Sequence, residues 1–172
     1  MQYWVDGYNL LFRLDPALLQ PTCSRRPLEA KRRSIIQQLS EVTELLGLRI
    51  ILVFDGAEEN IPYATRHFQD GLEIVYTIKN QTADLYLLDI ATRNKKSPLT
   101  IVTSDRALAK QCRHVGAKTL ELESFLIVLN QKLKAQSVRS HKKKDTRTTS
   151  RDFNRYLAIF EERLFGKSHE SD

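Results

Sequence analysis

Apolar and polar positions along this chain fall into two alternating patterns. Short, nearly all-apolar runs at Gln2–Val5, Leu48–Phe54, Leu72–Ile78, Leu99–Val102 and, more weakly, Ala117–Leu122 read as strands. Between them lie stretches with helical spacing. Leu28, Ile35, Leu39, Val42 and Leu46 recur at intervals of 3, 4 and 7 and predict a helix over 28–46, opened by Pro27 and stopped by Gly47. Leu85, Leu88, Ile90 and Ala91 mark a second helix from Ala83 to about Lys95, with Thr82 as its cap. A third runs from Arg106 to Val115, capped by Ser104 or Asp105 and ended by Gly116. A fourth opens at Glu123 or Ser124 and carries Phe125, Leu126, Leu129 and Leu133. Residues 10–22, with Pro16 and Pro21, have no clear period and read as a loop or a short helical turn. Residues 56–71, with Pro62, Arg66 and His67, read as a polar loop. Strands apolar on both faces, alternating with helices, predict an α/β fold: a parallel sheet with helices on both faces.

The pattern changes near the C-terminus. Residues 136–150 are polar and basic with no hydrophobic period, and are expected to form a flexible arm. Beyond Ser150, a possible cap, Phe153, Tyr156, Leu157, Phe160 and Leu164 make one apolar stripe that Gly166 ends. The expected organisation is a domain over 1–135, an arm over 136–150 and a C-terminal helix over 151–166 that docks on its own chain. Charge follows the same division. Residues 1–131 hold 16 Lys and Arg against 15 Asp and Glu, whereas 132–155 hold 9 against 2. A near-neutral body with a cationic segment suggests a polyanionic partner, a solvated linker being the plainer reading. Cys23 and Cys112 have no metal-ligand spacing, no run is long enough to span a membrane, and no signal peptide is visible. A reduced, cytoplasmic setting is the expectation.

The chemistry is in the acids at the strand ends. Asp6 ends the first strand, Asp55 the second, Asp84 lies just past the third and Asp105 follows the fourth. If the strands are parallel, all four carboxylates face the crevice beyond the carboxyl ends of the sheet, where such folds place their ligands. Each acid alone is an ordinary turn former or helix cap, and Asp6-Gly7 and Asp55-Gly56 are common turn dipeptides. Together, without a cation, they would repel one another and raise their pKa values. Magnesium or manganese takes oxygen ligands of this kind, and paired ions can hold both oxygens of a phosphodiester displacement. Asn9 could orient Asp6 or a water, or merely bond loop backbone. Ser104 could contact a metal-bound water, or be only a cap. The sequence has no glycine-rich phosphate loop and no nucleophile elbow, and its four histidines show no ligand spacing.

Four segments, Val5-Asp6-Gly7-Tyr8-Asn9, Val53-Phe54-Asp55, Asn80-Gln81-Thr82-Ala83-Asp84 and Val102-Thr103-Ser104-Asp105, resemble in order and spacing the motifs of the NYN-domain, YacP-like ribonucleases of the PIN-like superfamily. The match covers roughly residues 2–130, and the basic arm with a last helix also resembles YacP-like chains. The resemblance implies a compact α/β fold and divalent-metal-dependent cleavage of single-stranded RNA. It carries over Asp6, Asp84 and Asp105 as metal-binding acids, Asp55 as a further acid of the site, and Asn9 as the polar residue of the first motif. Gln81 departs from a glutamate frequent at that place, which leaves one or two ions open. Phosphate grip is expected from Arg66, Lys79, Arg106 and the arm residues Lys142, Lys143 and Lys144, and base stacking or plain core packing from Tyr8 or Tyr63. Messenger RNA and the ribosome are candidate partners. Two rival functions stay open: a non-catalytic RNA- or ribosome-binding module, and a small-molecule phosphatase.

Overall fold

The computed structural model describes residues 2–15, 25–56, 64–94 and 98–142. The chain divides into two units, Met1–Leu122 and Glu123–Asp172. In the first unit, one sheet forms from β1 (Gln2–Asp6), β2 (Arg49–Phe54), β3 (Thr65–Gln69), β4 (Leu72–Tyr76), β5 (Leu99–Val102) and β6 (Lys118–Leu120), in the order β3-β4-β2-β1-β5-β6. All neighbours are parallel except β3 with β4. The α/β fold expected from the sequence is therefore present, and the carboxyl ends of β1, β2, β4 and β5 share one edge.

Side chains alternate across the strands, so the register decides which core each one joins. Trp4 lies beside Ile51 and Ile101, and Asp6 beside Val53, which in turn neighbours Val75. Trp4, Ile51, Val53, Val75 and Ile101 pack with Tyr86, Leu87 and Ile90 of α3 (Ala83–Arg93) and Leu108 and Cys112 of α4 (Arg106–His114). Asp6 thus stands at the rim of this core, on the α3 side. The opposite face meets α1 (Gly7–Leu14) and α2 (Arg25–Leu46), which bury Leu10 and Leu11, and Ile35, Ile36, Leu39 and Val42. Burial on both faces explains the apolar run Ile50–Phe54 of β2 and the near-apolar β5, broken only by the buried Thr100.

Three expectations change. Where a loop or a short helical turn was expected from residue 10, residues 7–14 form an eight-residue helix that Asp6 caps; residues 16–22 lie outside the described residues. The expected polar loop contains β3, an exposed edge strand whose residues show no alternation; Phe68 is 75% exposed. Its signal was Asp70-Gly71, which sit at φ 45° and 83° and close a two-residue hairpin between Gln69 and Leu72. In the second unit, α5 (Leu122–Lys142) continues seven residues into the segment assigned to the arm. The seven residues Gln136 to Lys142 include no Gly or Pro, so nothing in them stops the helix begun over Phe125, Leu126, Leu129 and Leu133. The rest of the arm and the expected helix over 151–166 lie outside the described residues. Among the described residues, no helix is long and apolar enough to cross a membrane.

Candidate active site

Asp6 is both the last residue of β1 and the N-cap of α1. Its Oδ1 accepts the backbone N–H of Asn9 at 3.0 Å and its Oδ2 accepts the Asn9 side-chain amide at 2.7 Å. Asn9 therefore bonds both oxygens of the carboxylate and holds its orientation. Gly7 is needed for a packing reason: a Cβ there would lie 2.5 Å from Cε1 of Phe54. The Asp-Gly pair marks close approach of α1 to β2 and not a turn.

Asp55 follows β2 and its Oδ1 accepts the N–H of Ala83 at 2.5 Å, so it secures the start of α3 together with the cap Thr82, whose hydroxyl accepts from Leu85 N at 3.3 Å. Gly56 again reports close approach, since a Cβ would fall 1.6 Å from the carbonyl oxygen of Thr77. Thr77, which sequence reasoning passed over, ties this corner together. Its hydroxyl accepts from Gly56 N at 2.9 Å and donates to the Gln81 carbonyl at 2.5 Å. Asp84 stands in the first turn of α3, half-buried. Asp105 caps α4, its Oδ1 accepting from Ala107 N at 2.6 Å and Leu108 N at 3.0 Å. Ser104 is exposed and is not that cap.

All four acids thus come to one edge, and each is attached to a helix start. The N-termini of α1, α3 and α4 donate N–H groups to Asp6, Asp55 and Asp105 and turn the positive ends of their dipoles there, which offsets part of the repulsion among the carboxylates. The offset is incomplete. Asp6 is only 6% exposed. Burial, then the nearby Asp84 and Asp55, push its carboxyl up to about 6 against the pull of the Asn9 bonds. Asp84 is likewise raised by burial, Asp105 and Asp55, and a hydrogen bond with Asp6 works the other way. Asp6 and Asp84 therefore act as a coupled pair that holds a proton more tightly than isolated aspartates do.

Asp6, Asn9, Asp55 and Asp84 line one open cleft with Tyr8, Phe12, Thr82 and Ala83. Asp105 does not line it, although it is near enough to Asp84 to raise that pKa. Among the described residues, no three His, Cys, Asp or Glu side chains converge on a single ion position. The expected trio of Asp6, Asp84 and Asp105 is therefore not drawn into a closed cage. The donor set still fits magnesium or manganese, because all its donors are carboxylate oxygens and magnesium usually binds through one or two carboxylates and keeps several waters.

The expected phosphate contacts are scattered. Arg66 lies on β3 with Nη1 on Glu73 at 2.8 Å and Nη2 on the Tyr86 hydroxyl at 3.1 Å, so its guanidinium serves the buried Glu73 and a phosphate would have to compete for it. Lys79 is exposed after β4, and Arg106 is exposed as the first residue of α4, beside Asp105. Lys142 ends α5, its side chain outside the described residues, as are Lys143, Lys144 and Tyr63.

The family model of the YacP-like NYN domain matches residues 3–163. Two crystal structures of Rae1 (YacP) from Bacillus subtilis share the fold. One is 24% identical at a TM-score of 0.58, covering 95% of this chain and 90% of the other. The second, of a point mutant, is 20% identical at a TM-score of 0.59, covering 93% and 92%. No curated protein sequence matches the chain.

Proposed function

Because the chain belongs to the YacP-like NYN family, which is ribonuclease-related, we propose that it is a divalent-metal-dependent endoribonuclease acting on single-stranded RNA at the Asp6–Asp84 cleft. The observation that most supports this reading is the pair itself: a buried and a half-buried carboxylate, both raised chiefly by burial and further by neighbouring acids, at the carboxyl edge of a parallel sheet. Asp6 and Asp84 would hold magnesium or manganese directly, and Asp55 and Asp105 through water. When bound, the ion supplies Lewis acidity toward water and the scissile phosphate. Asn9 keeps Asp6 aimed into the cleft. Asp55 fixes the start of α3 and so the position of Asp84. Lys79 and Arg106 offer charge to the RNA backbone outside the acidic centre, a contact that gives affinity with little sequence preference.

The test is cleavage of a labelled single-stranded RNA with manganese, repeated with chelator and with Asp84→Asn. Loss of cleavage in both controls is expected. Cleavage that persists in both refutes the proposal. RNA bound in a salt-sensitive way yet never cut, with any divalent ion, identifies a binding module instead.

A further inference from the structure

Beside the acids lies an aromatic assembly that the nuclease chemistry does not use. Tyr8 and Phe12 stand one turn apart on α1 and stack, with ring centroids 5.9 Å apart and planes at 21°. Below them Phe54, the last residue of β2, meets Tyr8 edge-on at 5.2 Å and stacks on Tyr76, the last residue of β4, at 5.8 Å. Arg32 of α2 lays its guanidinium over Phe54 at 5.8 Å and Tyr76 at 5.3 Å, and donates to the Tyr8 hydroxyl at 3.4 Å.

Phe54 is core. Tyr8, Phe12 and Tyr76 are not: each keeps part of its surface open. Tyr8 and Phe12 line the same cleft as Asp6, Asp55 and Asp84. A carboxylate-lined cleft repels phosphates but not the flat face of a base, so an apolar shelf next to it discriminates between the two ends of a nucleotide. Resting on the nuclease reading above, we propose that Tyr8 and Phe12 form a base-stacking subsite that takes one unpaired nucleobase adjacent to the phosphate presented to the acids. Arg32 is a positioning residue that braces the shelf from behind through the Tyr8 hydroxyl and the rings of Phe54 and Tyr76. Every base has a π-face, so the subsite tolerates sequence. It also explains a preference for single strands, because a base paired within a duplex cannot be laid against a side chain.

The experiment measures binding without cleavage. Anisotropy of a labelled single-stranded RNA is followed at low salt in chelator, with intact RNA and with the same RNA carrying one abasic nucleotide at each position in turn. The full chain is expected to lose affinity about 5–100-fold at one or two positions. Phe12→Leu, which keeps apolar bulk, should lose a similar factor on intact RNA and nothing more at those positions. Tyr8→Leu gives a second, independent variant, and circular dichroism establishes that both are folded. An equal abasic penalty in the full chain and both variants, or none anywhere, overturns the subsite. If RNA is bound and cut but indifferent to abasic positions, the subsite fails and the nuclease reading survives. If RNA is not bound at all, both fail.

Discussion

Asp6→Asn separates the stability of the fold from the task of its acids. Asp6 has its carboxyl at about 6 in the folded chain against 3.8 ordinarily. The folded state therefore binds this proton more tightly than the unfolded state does. Below pH 3.8 the group is neutral in both and costs nothing. As pH rises past 3.8 the unfolded chain ionises first and gains stability that the folded chain cannot match, and the penalty levels off above about 6. At 1.36 kcal/mol per pH unit the full penalty is roughly 3 kcal/mol at neutral pH. Asparagine is as good an N-cap as aspartate and can exchange amide hydrogen bonds with Asn9, so most of the local geometry survives. In chelator at pH 7.5, Asp6→Asn is expected to be more stable than the unaltered chain by about 1–3 kcal/mol, a Tm rise of ~2–4 °C for each kcal/mol in a chain of this size. At pH 4 the gain should shrink to near zero. Paired urea or thermal unfolding curves at the two pH values measure this. A variant that is less stable at pH 7.5, or a difference that does not change with pH, refutes the electrostatic account of Asp6.

Other outcomes follow from the same geometry. Gly56→Ala should destabilise more than Gly7→Ala in urea unfolding: its new Cβ meets backbone at Thr77, which cannot swing aside, whereas Gly7 meets a ring, and overpacking of the latter kind costs about 1–3 kcal/mol. Arg66→Ala should lower stability by ~2 kcal/mol, less than for a fully buried pair because Arg66 is half-exposed and Arg49 stands 3.9 Å from Glu73, and should leave RNA affinity nearly unchanged in the same anisotropy assay. Neutralising Lys142, Lys143 and Lys144 together should flatten the salt dependence of RNA binding, by about 0.7 in log–log slope for each phosphate that these lysines neutralise. An unchanged slope places the RNA elsewhere on the chain.

The parts of the fold that were legible from sequence are those where burial dictates residue type. β2 and β5 need apolar side chains on both faces, and α2 needs one buried stripe, so both leave plain periodicities. The acids were legible because parallel strands bring distant strand ends to one edge. What was hidden depends on single interactions. α1 exists through one carboxylate cap followed three residues later by Asn9. β3 is exposed and polar, and only its Asp70-Gly71 turn betrayed it. Asp6-Gly7 and Asp55-Gly56 read as turns until the proximity of Phe54 and Thr77 gave each glycine its reason. That Arg66 pairs with the buried Glu73 could be seen only once β3 was paired with β4.

The tie between Asp6 and Asp84 has a consequence for whatever cation comes to rest there. Around pH 6, where the Asp6 carboxyl is still partly protonated, a metal arriving there must displace that proton. Uptake should therefore liberate acid, and calorimetric heats should vary with the ionisation enthalpy of the buffer. Two species contend for one seat, and modest acidification favours the smaller.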